Sequence, residues 1–396
     1  MPRYLLEHFD RREDAYDAIL NPDGYVALCL AENKLVWDLL RPKMLESRDI
    51  PHSAICYDGM IGSDRFRTQL AGFMGRTFLG RALDPARVIV LAGGGSVLET
   101  LFYALGDPGD GVLVPTPSYS GFWPDLEGRD GLCIVPVHCS SDNGFRLTTE
   151  MLDTALAEAD RPIKALLFTT PNNPLGTVYS AAELEEVIAW CEGRGIHAVI
   201  DEIYALGVFG ESSFVSAAEL RPALGDLVHI VWAFSKDFGA SGLRCGVLIT
   251  ENEEVFQAVE SQAYWAVCSG DTQHMLGELI ADDSWADHYI NEMQAILGDA
   301  FARVTAELST AGIRFIPGEA GFFFLCDMRE YMDEPTWEAE EALWWRILEE
   351  ANVNITPGSS GHNGEPGFMR LCFASDPTDT VVAGVRRMAG VLKPER

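Results

Sequence analysis

Basic residues are scarce in this chain. It carries 29 Lys and Arg against 60 Asp and Glu, a formal charge of −31 with a pI near 4.5. Such a surface repels the phosphates of nucleic acids and anionic membrane faces, and this argues against both as partners. Long apolar runs are missing too. Nothing approaches the ~18–20 residues of a membrane span, and the opening MPRYLLEHFDRRED lacks the apolar core of a secretory signal. The nine cysteines are scattered with no C-x-x-C pair, and there is no H-E-x-x-H. No metal centre is expected, and reduced, mostly buried thiols in a cytoplasmic protein are. There is no G-x-G-x-x-G, so a dinucleotide is not indicated. Internal repeats and low-complexity linkers are also absent.

Apolar content, in contrast, is ample: 47% of the 396 residues are hydrophobic, and mean hydropathy is slightly positive. That suits one large domain with a smaller companion. Short Val/Ile/Leu runs at Val88–Leu91, Gly111–Pro115, Leu132–Val137, Ala165–Thr169, Ala198–Asp201 and Val228–Ala233 alternate with helical patterns. Runs of this kind are buried on both faces, which implies an α/β fold with a mostly parallel sheet sandwiched by helices. After a strand at Gly246–Thr250, helical stretches run to about Leu308, and the C-terminal part reads as α+β. The expected division is a large domain over residues 52–285 and a small domain from 1–51 and 286–396, with 1–28 as a helical arm.

In such sheets ligands sit at the C-terminal strand ends, and the polar residues of this chain gather there. Val231–Gly246 reads as a strand end, then Ser235 and Lys236, a glycine-punctuated turn, and Arg244. A lysine directly after a buried run loses solvation, so its amine shifts toward the neutral, nucleophilic form. Ser235 and Arg244 can hold a phosphate beside it. A Schiff-base lysine next to a phosphate clamp suggests pyridoxal 5'-phosphate. Gly93-Gly94-Gly95-Ser96, between a strand and a helix, is a second anion-binding recipe, from close backbone amides and the helix dipole. Asp201 ends the strand of VIDEIY, where a carboxylate needs a partner such as a protonated pyridine nitrogen. Tyr204 and Asn173 are candidates to hydrogen-bond the phenolic oxygen of that cofactor, Asn173 alternatively to hold a substrate carboxylate, and Tyr119 to stack on its ring. Arg370, between apolar neighbours in FMRLCFA, needs an anion, and a substrate α-carboxylate fits. Glu32 at the mouth of an apolar segment is a solvated loop residue or faces a substrate cation. Each of the others also has a structural reading: Asp201 as a helix cap, Tyr204 as core, Asn173 in a turn, Tyr119 in packing, Arg370 in an internal ion pair. Their convergence on one sheet edge favours a site.

NNPLGT (172–177), DEIY (201–204) and SKDFGASGLRCG (235–246) resemble the fold-type-I pyridoxal-phosphate enzymes, the aminotransferase superfamily. LAENKL (30–35), YDGMIGSDRFRTQLAGFM (57–74), PTPSYSGF (115–122) and FMRLCFA (368–374) are similar to one branch, the 1-aminocyclopropane-1-carboxylate synthases. The resemblance implies an aminotransferase-like large domain, a smaller domain built from both termini, and a homodimer with shared active sites. It implies that Lys236 forms the Schiff base and moves the α-proton, with Asp201 on the ring nitrogen and Tyr204 and Asn173 at the phenolic oxygen. Tyr119 would stack on the ring. Gly94, Gly95, Ser96, Ser235 and Arg244 would bind phosphate, joined by Tyr57 from the neighbouring subunit. Arg370 would hold the α-carboxylate, and Glu32 would face the sulfonium of S-adenosylmethionine.

Several positions depart from that branch. Lys34 stands where it has Gln, Asp58 where it has His, Pro124 and Glu127 where it has basic residues, and Ser269-Gly270-Asp271 where it has a Ser-Thr-Gln run. These changes spare the cofactor set and are expected to fall on the substrate pocket. The implied reaction is α-proton abstraction and γ-elimination of methylthioadenosine from S-adenosylmethionine. It would end in 1-aminocyclopropane-1-carboxylate, or in a vinylglycine-type intermediate trapped by a second small-molecule substrate through a carbon–carbon bond. The alternative is an aminotransferase passing an amino group between an amino acid and a keto acid. A DNA-binding sensor on the same fold would need a basic segment, which this composition does not offer.

Overall fold

The computed structural model describes residues 1–392. Among them the strands, in chain order, are β1 (Val26–Ala27), β2 (Val88–Leu91), β3 (Gly111–Thr116), β4 (Cys133–His138), β5 (Ile163–Thr169), β6 (His197–Asp201), β7 (Val228–Ala233), β8 (Gly246–Thr250), β9 (Arg314–Ile316), β10 (Phe323–Asp327), β11 (Val353–Asn354) and β12 (Phe368–Cys372). Seven of these form one sheet in the order β2-β8-β7-β6-β5-β3-β4. Pairings from β4 through β7 are all parallel, and β8 lies antiparallel between β7 and β2. The C-terminal ends of β2, β3, β5, β6 and β7 therefore share one edge, and the start of β8 joins them. Every residue of β2, β3, β7 and β8 is buried, as a sheet covered on both faces requires.

Beneath that edge lies an aromatic cluster. Phe66 and Phe73 come from helix Asp64–Thr77, whose start is capped by Ser63 accepting from the Phe66 amide. They pack on Trp232, Phe234 and Phe238, and Phe238 stacks on Tyr289 of the long helix Asp283–Ala311 with centroids 4.9 Å apart. Rings buried to this extent each stabilise the fold by about 1.5–3 kcal/mol, and they form the floor under residues 234–238.

The termini combine in a second assembly. β10 pairs antiparallel with both β9 and β12, and β1 pairs in parallel with β11. Helices Trp337–Ala351 and Thr378–Leu392 pack against one another beside these strands. Residues 1–28 are not one helical arm. The helix covers only Arg3–Arg11, followed by a single tight turn at Arg12–Asp14. The Asp17 side chain then accepts from the Ile19 and Leu20 amides at 2.9 and 2.8 Å. Such local bonds compete with a helix, and Pro22 removes a donor just before β1. Among the described residues, no helix is long and apolar enough to cross a membrane.

Candidate active site

Lys236 sits in a one-turn helix, Phe234–Asp237, that begins where β7 ends. Asp237 pins this turn: its carboxylate accepts from the Trp232 indole at 2.9 Å and the Leu206 amide at 3.1 Å. The Tyr289 hydroxyl donates to the Asp237 carbonyl at 3.1 Å. The Lys236 amine donates to the Ala31 carbonyl at 2.7 Å. Burial, helped by the Arg370 guanidinium, lowers this amine to about 8, although Glu32 and Asp201 pull the other way. A neutral, nucleophilic amine is thus within reach near neutral pH.

Asp201 ends β6 and is 4% exposed. Its carboxylate accepts from the Ile203 amide at 3.3 Å, and burial raises it to about 7. A buried carboxylate with so little compensation calls for a cation. Tyr204 lies nearby, its hydroxyl accepting from Asn173 Nδ2 at 3.2 Å, while Asn173 Oδ1 accepts from Arg370 Nη1 at 3.2 Å. Arg370 Nη2 donates to the Cys29 carbonyl at 2.7 Å and to Thr356 Oγ1 at 3.1 Å, and its Nε is buried with no partner. No carboxylate pairs with this guanidinium among the described residues, so the structure does not hold it in an internal ion pair.

The phosphate recipe is assembled at the same edge. Helix Gly94–Leu105 starts after Gly93, which has φ of 97°. A side chain at Gly93 would run into the Arg244 guanidinium. Arg244 itself takes a left-handed φ of 50° and donates to the Ser241 carbonyl at 3.0 Å. Helix amides, a guanidinium and hydroxyls from Ser235 and Ser241 are a donor set suited to a dianion. The inner cavity, about 210 Å³, is lined by Gly94, Gly95, Tyr119, Asn173, Asp201 and Tyr204, and by Ser235, Lys236 and Arg244. A ring-nitrogen partner at one end and an anion cradle at the other fit pyridoxal phosphate. Ser96 and Tyr57 do not line this cavity within the chain. The Ser96 hydroxyl donates to the Ala92 carbonyl at 3.2 Å, and Tyr57 is 99% exposed on the surface of its own chain.

A wider outer chamber, about 630 Å³, shares Tyr119 and Lys236 with the inner one. Glu32, Lys34 and Arg370 line it, together with Tyr4, His8 and Arg12 from the N-terminal segment. Glu32 is held there by a 3.0 Å hydrogen bond from Ser241. Of the departures expected at the substrate pocket, only Lys34 lines a chamber next to Lys236 within this chain. Asp58, Pro124 and Glu127 are exposed elsewhere on this chain. Asp58 accepts from the Gly59 amide at 2.7 Å, and Glu127 from the Ile134 amide at 3.2 Å.

Sequence reasoning passed over Thr169, Ser241 and Asp125, which also line the inner cavity. Asp125 had a readable signal, since it lies on the side of helix Phe122–Glu127 that carries buried Phe122 and Leu126. The Tyr4 and His8 wall had none beyond helical periodicity.

The family described as aminotransferase class I and II matches residues 39–388. The chain is 36% identical to 1-aminocyclopropane-1-carboxylate synthase 6 of Arabidopsis thaliana, over 95% of this chain and 80% of that one. It is 35% identical to 1-aminocyclopropane-1-carboxylate synthase 2 of Solanum lycopersicum, over 96% and 83%. Among solved structures it is similar to the Thermus thermophilus aspartate aminotransferase with maleate, at TM-score 0.81 and 23% identity over 99% and 97% of the two chains. The aromatic aminotransferase of Pyrococcus horikoshii OT3 aligns at TM-score 0.82 and 20% identity over 97% and 98%. At those identities the structural likeness speaks for the fold alone.

Proposed function

Because the chain belongs to the class I and II aminotransferases, and is a pyridoxal-phosphate enzyme of the 1-aminocyclopropane-1-carboxylate-synthase-like class, we propose that it acts on S-adenosylmethionine at the α- and γ-carbons. One observation carries this reading. Glu32 and Arg370 share a chamber with Lys236 and both act electrostatically on its amine. A carboxylate for a sulfonium, a guanidinium for an α-carboxylate and a neutral amine thus meet at one point.

Bound pyridoxal phosphate supplies an electron sink that acidifies the α-C–H of an amino acid joined to it. Lys236, neutral above about 8, takes that α-proton as general base. Asp201 holds a proton at the pyridine nitrogen. Tyr204 and Asn173 fix the phenolic oxygen, and Tyr119 covers the ring. Arg370 sets the α-carboxylate, and through it the Cα–H direction, by a two-point fork. Glu32 keeps the sulfonium in place until methylthioadenosine leaves the γ-carbon. Closure of Cα onto Cγ gives 1-aminocyclopropane-1-carboxylate. Capture of the γ-carbon by a second small molecule is the other exit, and the exposed cation Lys34 in a roomy outer chamber favours it. A homodimer completes the site in this reading, with the fully exposed Tyr57 reaching the partner's phosphate cradle.

The test is direct. Purified holoenzyme is incubated with S-adenosylmethionine, alone and with cell extract, and the products are identified by mass spectrometry. Methylthioadenosine equimolar with the substrate consumed is the expected result. No methylthioadenosine, with pyridoxamine phosphate accumulating from some amino acid, would identify an aminotransferase instead.

A further inference from the structure

A carboxylate faces the phosphate end of the inner cavity. Asp125 lines it together with Gly95, Ser235, Ser241 and Arg244. A Cβ placed on Gly95 would lie 3.6 Å from both Asp125 carboxylate oxygens. Gly95 belongs to the first turn of helix Gly94–Leu105, whose amides serve the phosphate. Among the described residues the Asp125 carboxylate has no hydrogen-bond partner.

The charges around it make this placement costly for an ionised group. Arg244 faces it from the turn before β8, and Tyr119 and Asp201 face it from the ends of β3 and β6. Glu99 faces it from helix Gly94–Leu105 and is paired with Arg129 at 2.7 Å. Asp130 lies just beyond, 3% exposed, with neither carboxylate oxygen partnered. Burial, then Glu99, lifts Asp125 to about 6 against the pull of Arg244. A phosphate dianion entering this cluster adds two negative charges, against a helix N-terminus worth about half a positive charge. Like charges at this range disfavour joint ionisation.

We propose that Asp125 and the cofactor phosphate share one proton, so that Asp125 binds the phosphate as a hydrogen-bond donor and cofactor docking takes up a proton from solvent. No covalent bond changes. One solvent proton ends between a carboxylate oxygen and a phosphate oxygen, and the pair carries two negative charges instead of three. The side chain is a positioning residue for the cofactor. The proposal rests on the cofactor and not on the reaction, so its failure would leave the reading of S-adenosylmethionine chemistry standing.

The linkage has a definite sign. The carboxyl titrates near 6 with the cavity free and higher with phosphate beside it. Between those two values each docking event takes up one proton from solvent, and the dissociation constant therefore rises by about tenfold per pH unit. The second ionisation of free phosphate, near about 6, is common to all variants and cancels in their comparison.

The test is calorimetry of pyridoxal phosphate binding to the apoprotein at pH 8, in buffers of different ionisation heat. Wild type is expected to take up about one proton more than Asp125→Asn. The variant should bind the cofactor about tenfold more tightly than wild type at pH 8.5, with the Asp125-dependent slope gone. Asp125→Ser should lose the same proton uptake should the Asn variant not fold. Pyridoxal, which lacks the phosphate but reacts with Lys236 in the same way, should show no difference between wild type and variant. Equal proton uptake in wild type and variant, or a difference that persists with pyridoxal, overturns the proposal.

Discussion

The inner chamber draws its walls from strand ends of a single buried sheet, whereas the outer one is bounded by helix Arg3–Arg11, the loop around Glu32 and one strand of the second sheet. In the inner chamber, Lys236, Asp201, Tyr204 and Ser235 are part-buried or buried, and Asp237 fixes the reactive turn through three hydrogen bonds. In the outer chamber Lys34 and Arg12 are exposed, and Glu32 is held by one serine. Burial shifts ionisation in the first: the lysine amine comes down, and the aspartate comes up. The difference teaches a division of labour. On the proposed reading, the chemistry sits at the buried sheet edge, and substrate choice sits where the two ends of the chain meet.

Variants should separate the two regions. The largest effect is expected for Lys236→Ala, which should abolish the absorbance of lysine-bound cofactor and reduce turnover by roughly 10⁴-fold. A variant that kept even a tenth of the activity would move the proton transfer elsewhere. Asp201→Asn should lower kcat by about 10²–10³-fold while cofactor still binds, as read from kinetics on the loaded protein. Arg370→Lys keeps the charge but loses the fork. It should raise KM by about 10–100-fold and change kcat much less, so equal losses in both would blur the boundary between the chambers. The smallest effect is a pH profile. At saturating pyridoxal phosphate, the rate of Schiff-base formation requires the neutral amine. It should therefore rise with pH and level off above about 8, where an ordinary lysine would still be climbing toward ~10.4.

The inner chamber was largely legible in the sequence, and the outer one was not. Parallel strands buried on both faces read as unbroken Val/Ile/Leu runs, so a polar residue at the end of one, such as Asp201 or Lys236, stands out. Glycine clusters before a helix pattern mark an anion cradle in the same way. What the pattern could not carry was direction and docking. The antiparallel course of β8 has the same apolar composition as its parallel neighbours. Helix Arg3–Arg11 shows a periodicity that says nothing about which surface it covers, so Tyr4 and His8 were invisible as chamber walls. Asp58, Pro124 and Glu127 follow motif residues in sequence, but a shared motif does not fix where a side chain ends up. Asp125 shares the buried side of a short helix with Phe122 and Leu126, but only the tertiary structure brings it to Gly95.

The division of labour is tested most directly by Glu32→Gln, with α-deuterium exchange into S-adenosylmethionine followed in D₂O as a function of substrate concentration. Removing this carboxylate takes away the partner of the sulfonium and leaves Lys236 and its supports in place. The expected result is a KM raised about tenfold, with the exchange rate at saturation close to that of wild type. A saturating rate that collapses as it does for Lys236→Ala, or a KM that does not move, would contradict the assignment of substrate choice to the outer chamber.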